Sequence, residues 1–146
     1  MAKKKAKKKT VKKKKKKTQA TGAPGVGAIT IEPGNVLTLV PDTISVTPDS
    51  DVSFLIANAD EVAHHIWINP ELVINPGNGG RKQDPFVADI GRKPVPAGAI
   101  RLITLRTRKK AGFPHLPVTL KYTVESFTKD GSTFTLDPDL EVSSGS

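Results

Sequence analysis

The chain has 146 residues, no cysteine, and a formal net charge of +9 from 23 basic and 14 acidic residues. That length accommodates one domain plus an extension, and the absence of thiols excludes disulfides, thiolate metal centres and cysteine nucleophiles. No apolar run approaches the roughly 18 residues of a membrane-spanning helix, so no membrane span is expected.

The charge is segregated. Lys3, Lys4, Lys5, Lys7, Lys8, Lys9, Lys12, Lys13, Lys14, Lys15, Lys16 and Lys17 supply twelve of the 23 basic residues, leaving eleven against 14 acidic ones in the remainder. Residues 1–24 therefore read as a disordered, lysine-rich tail, because like charges repel and nothing apolar offsets the entropy of ordering. Residues 25–146 read as a mildly acidic folded domain. Lysine ammoniums are compact, hydrated point charges suited to sequence-blind contact with phosphates, so nucleic acid or another polyanion is the expected partner of the tail. No aromatic residue interleaves these lysines, so the tail offers no base stacking. The lysines run into "TQATGAPGVGAIT" and not into an apolar h-region, so no secretory signal is read. The expected location is cytoplasmic, nucleoid-associated, or nuclear in a eukaryote.

From Ala28 onward the pattern has period two. "AITIEP" and "NVLTLVP" are short β-rich runs closed by Pro33-Gly34 and Pro41-Asp42. "TISV" follows, then a turn at Pro48, Asp49 and Ser50. "DVSFLIA" places Val52, Phe54 and Ile56 on one face, and "AHHIWIN" is a further strand. Residues 69–97 are rich in proline and glycine, with at most one short strand around Phe86 to Ile90 and a single turn near Pro70 to Val73. "IRLITLRTR" is another strand. Val118, Leu120, Tyr122 and Val124 alternate with polar residues as in a half-buried antiparallel strand. Asp130-Gly131 then supplies a hairpin turn. Seven to nine short strands with frequent turns predict an all-β, antiparallel Greek-key β-sandwich.

Three stretches carry a resemblance to the cupredoxins, the plastocyanin-like family. "ISVTPDSDVSFLIANADEVAHHIWI" resembles the family's strand-turn-strand ending in a histidine. "PVPAGAIRLITL" resembles its edge-strand entry, and "LKYTVES" with "LDPDLEV" resembles its final strands. The resemblance covers roughly Ile29 to Val142 and implies a cupredoxin-like sandwich. It also implies a type 1 copper site of His, Cys, His and usually Met, with the last three in the loop after the "Y.Y" strand. Here that loop reads "KYTVESFTKDGSTFTLDP", without Cys, His or Met. Thiolate ligation defines the blue-copper centre, so that centre is chemically closed to this chain and no cofactor is expected.

Only the first-ligand position is kept, at His64 or His65. An alternative histidine-only metal set would be His64, His65 and His115. Adjacent strand residues point to opposite faces, so His64 and His65 do not easily share one ion. One histidine packed and hydrogen-bonded, with the other facing water, is the plainer expectation. "NPGNGGRKQ" lacks the phosphate-loop spacing, and no catalytic motif is present, so an enzyme is not expected. The sequence therefore predicts a non-enzymatic binding or architectural protein that holds a polyanion by its tail. A capsid or assembly protein with an RNA-neutralising arm, and a histidine-based copper-binding protein, are the alternatives.

Overall fold

A computed structural model describes residues 24–34 and 36–144; the lysine tail, with all twelve of its lysines, lies outside the described residues. Among the described residues the period-two pattern is realised as thirteen strands in two layers. The first layer has the order β2 (Val36–Val40), β1 (Gly25–Glu32), β4 (Asp51–Asn58), β9 (Ile100–Arg106). The second consists of two sheets. One has the order β3 (Thr43–Val46), β13 (Asp139–Val142), β10 (Val118–Lys121), β6 (Ile74–Asn75), β7 (Arg81–Lys82). The other has the order β12 (Thr133–Leu136), β11 (Val124–Thr128), β5 (His64–Ile68), β8 (Lys93–Val95).

Those two sheets join across a one-step break. The Tyr122 N–H donates to Pro138 O at 3.0 Å, and the Asn69 N–H donates to Thr123 O at 3.2 Å. β10 with β11, and β12 with β13, therefore behave as two long interrupted strands. Pairing is antiparallel throughout the named ladders except between β1 and β4 and between β13 and β3, which are parallel. Pro41 and Asp42 carry the chain from β2 in the first layer to β3 in the second. The result is a two-layer, mainly antiparallel β-sandwich.

The core lies between the layers. Ile29, Ile31, Val52, Phe54 and Ile56 face Ile44, Ile66, Leu120, Tyr122, Val124 and Leu140, all buried. The rings of Phe54 and Tyr122 meet across the interface with centroids 5.9 Å apart. Burying each aliphatic or aromatic side chain of this kind contributes roughly 1.5–3 kcal/mol.

Several details differ from the sequence reading. There are thirteen strands among the described residues where seven to nine were expected, and the strand expected over Val118 to Val124 is broken after Lys121. β1 begins at Gly25, three residues before the alternation is visible. Gly25 and Gly27 are buried inward positions, and a Cβ there would come within 2.5 and 2.8 Å of Ile44. Glycines hide the alternation because the layers approach too closely for any side chain. The strand expected around Phe86 to Ile90 does not form; Phe86 makes a single bridge to Thr107. Asp84 and Asp89 instead accept from the N–H groups of Phe86 and Gly91, at 2.9 and 2.8 Å. Such side-chain-to-backbone turns compete with ladder formation. The same stretch holds β6, β7 and β8 and two 3₁₀ turns, one of them at Pro70–Leu72.

Candidate functional site

The loop joining β4 to β5 caps one end of the sandwich, and Asn58 organises it. Asn58 Nδ2 donates to Val62 O and Val95 O, both at 2.9 Å, while its Oδ1 accepts from the Asp60 N–H at 2.9 Å. This holds Asp60 four residues before His64, against the histidine ring.

His64 is completely buried. Its Nε2 lies 2.8 Å from Asp60 Oδ2 and its Nδ1 lies 2.7 Å from Ser126 Oγ on β11. The Asp60 carboxyl is held below its usual range, first by its bond to His64 and then by the Glu61 N–H. A carboxylate only accepts, so Nε2 donates to Asp60, and Nδ1 shares a hydrogen bond with the Ser126 hydroxyl. Both ring nitrogens are thereby occupied, and neither presents a free lone pair. Serine, histidine and aspartate in one chain resemble a nucleophilic set, but Ser126 is itself fully buried in mid-strand. A hydroxyl with no route to a substrate cannot act as a nucleophile on one. The arrangement ties the loop to β11.

His65 points outward beside this loop. It borders a cleft of about 560 Å³ with Asp60, Val62, Ala63, Asp130 and Phe134. The far wall is the β11–β12 hairpin, where the resemblance would place the remaining copper ligands. Its turn is built on Asp130, which accepts from the Thr128 hydroxyl and the Ser132 N–H. Those bonds, the Thr128 bond foremost, lower the Asp130 carboxyl below its usual range. Gly131 takes the positive φ of 93° that the expected Asp130-Gly131 turn requires.

His115 lies elsewhere. It borders a second cleft, of about 860 Å³, with Asn75, Gln83, Lys121 and Asp139. The three histidines thus occupy one buried hydrogen-bonded setting and two separate surface settings. No group of three or more His, Asp or Glu side chains suited to a metal ion occurs among the described residues. The tail lysines, Lys3 through Lys17, lie outside the described residues, so their surroundings do not enter this geometry.

The basic residues of the body are dispersed. Arg106 binds Asp49 and Asp51 at 3.0 and 3.2 Å, and these contacts, Asp49 first, raise its pKa. Arg108 pairs with Asp84 at 3.5 Å. Arg92 stacks over Phe127, 3.8 Å from the ring centroid and 5.8 Å from that of Trp67. Sequence reading missed Asp60, Ser126 and this stack. Asp60 could have been sought from its spacing to His64, whereas Ser126 depends on a strand register 62 residues away.

No family model matches the chain, and no curated protein matches it. Among solved structures it is similar to Fet3p, a multicopper oxidase that functions in iron import. That likeness has 11% identity, covers 82% of this chain and 27% of that one, and has a TM-score of 0.41. It is also similar to the multicopper oxidase mgLAC, at 14% identity, 83% and 38% coverage respectively, and a TM-score of 0.35. The chain spans well under half of either structure's length, and neither likeness brings a function to it.

Proposed function

We propose that this chain is a non-enzymatic binding protein whose lysine tail holds nucleic acid or another polyanion without sequence preference. The body is a cupredoxin-like scaffold lacking the blue-copper ligands. The observation that carries this reading is the segregation of charge: twelve lysines within the first 17 residues, ahead of a body with more acidic than basic groups. The body's geometry supports it. The two end arginines, Arg106 and Arg108, are engaged by Asp49, Asp51 and Asp84. Of the neighbouring basic residues, Lys109 and Lys110 are exposed. They lie past the end of β9 whose Arg106 opposes Asp51, next to Val52, which pairs with Gly25 at the start of β1. Charge available to a polyanion thus sits at the end where the tail joins the fold.

The test is fluorescence anisotropy of labelled duplex DNA with the full chain and with a Δ1–19 variant across a salt series. With about six lysines engaged, log K should fall against log salt with a slope near −5, and the truncated chain should lose most of that slope. Equal affinity and equal slope for both proteins would remove the reading. No helix among the described residues is long and apolar enough to cross a membrane.

A further inference from the structure

The outer face of the first layer is uncharged across its whole middle. Three cross-strand rows make it up. Val26, Ser53 and Thr104 form one row; Val40, Ala28, Leu55 and Leu102 form the next; Thr38, Thr30, Ala57 and Ile100 form the third. Six of the nine exposed large hydrophobic residues among the described ones lie here: Val26 (65% exposed), Val36, Val40 (69%), Leu55, Ile100 (68%) and Leu102 (62%). Charge is confined to the two ends, with Glu32 at one and the Asp51–Arg106 pair at the other. Contiguous apolar surface of this extent marks an interaction site, whereas scattered exposed residues do not.

The polar groups of this face are neutral hydroxyls, and two of them, Ser53 Oγ and Thr104 Oγ1, share a hydrogen bond at 3.0 Å. Depletion of charge at the centre with polar groups at the rim is the composition of an interface core.

We propose that this face packs against the same face of a second copy of the chain. The tail is the wrong chemistry for it: twelve lysines cannot cover an uncharged apolar surface without burying charge. A lipid surface is also a poor match, because the three rows contain none of the Trp, Tyr, Lys or Arg residues that anchor a face among headgroups. A two-fold arrangement suits what is present. Two uncharged faces cannot repel each other. With the axis lying between the sheets and perpendicular to the strands, the uncharged rows meet at the centre and the charged ends, Glu32 at one and the Asp49–Arg106–Asp51 cluster at the other, stay at the rim. Strand spacing and rise give a projected face on the order of 500 Å². Corrugation enlarges it toward the roughly 800 Å² per partner of a standard interface. A dimer at that lower limit should be weak, with a Kd on the order of micromolar. The inference does not depend on what the tail binds.

Sedimentation equilibrium of the full chain at high salt, without polyanion, tests it. The expected result is a concentration-dependent rise from the 15.6 kDa chain mass toward twice that value. Leu102→Lys and Leu55→Lys should each weaken association by at least about tenfold. Thr135→Lys, at an exposed position on the opposite outer face, should leave it unchanged. Circular dichroism and Tm confirm that each variant is folded. A monomer at every concentration overturns the proposal, as does a Leu102→Lys protein that dimerises like its parent. Flotation with anionic phosphatidylserine vesicles that Leu102→Lys alone abolishes would also overturn it, by assigning the face to lipid.

Discussion

The two outer faces of the sandwich obey the same alternation and end in opposite chemistries. On the second layer, outward positions are tied into polar contacts. Trp67 Nε1 donates to Asp89 at 2.9 Å, Asn69 Nδ2 to Glu125 at 2.9 Å, and Ser45 Oγ to Glu141 at 3.0 Å. Lys121 pairs with Asp139 at 2.9 Å, and Arg92 lies over Phe127. On the first layer the comparable rows hold Val, Ala, Thr, Leu and Ile, with one hydroxyl pair. The inward halves of the strands cannot explain this difference, since both layers contribute similar aliphatic and aromatic residues to the core. The alternation builds the fold, and the outward half decides which face is finished for water.

The largest expected effect tests whether the two faces share one core. Phe54→Ala removes a fully buried ring that contacts Tyr122 across the layers. A loss of about 3–5 kcal/mol is expected by urea denaturation, with an unchanged m-value. A loss below about 1 kcal/mol would mean that the layers are stabilised separately, and the comparison would then concern two independent sheets.

Next comes the end of the sandwich that both layers share. His64→Ala leaves Ser126 and Asp60 without their common partner and should cost about 1–3 kcal/mol. A pH dependence accompanies it. The Asp60 pKa is lowered in the folded state, so this group contributes stability above its ordinary value of 3.8. That contribution is lost as pH falls through the lowered folded value. Stability of the parent should therefore decline over the acid range, and His64→Ala should flatten the part of the decline due to Asp60. An identical acid profile in both proteins would show that the His64 contact does not depress Asp60.

Much of this was legible from sequence because it is local. Val52, Phe54 and Ile56 alternate within one strand, and Asp130-Gly131 is a turn by its own chemistry. The parallel pairing of β1 with β4 and the start of β1 were not legible. Gly25 and Gly27 interrupt the apolar pattern, and their reason is the proximity of Ile44 on another layer. The site divides in the same way. That one of His64 and His65 must face inward follows from strand geometry. That the inward one is His64, with both nitrogens engaged, depends on Ser126 in β11 and on the loop that Asn58 holds. The uncharged outer rows were present in the sequence as isolated Val, Thr and Leu residues. Only the register of four strands shows that they form one surface.

The smallest effects on stability separate the faces most cleanly. Arg92→Ala removes a stacked cation from Phe127 and should cost about 0.5–1 kcal/mol. It should also shift the emission of Trp67, the only tryptophan, without altering association. Leu102→Lys should do the reverse. At 62% exposure the leucine gains little from burial within one copy, so the substitution should change monomer stability by less than about 0.5 kcal/mol. Its whole consequence then falls on self-association, because a lysine in the middle row would have to leave water without a partner. If Leu102→Lys destabilised the monomer while Arg92→Ala altered association, the assignment of the faces would be inverted: the apolar rows would belong to the fold and the stacked arginine to the interface.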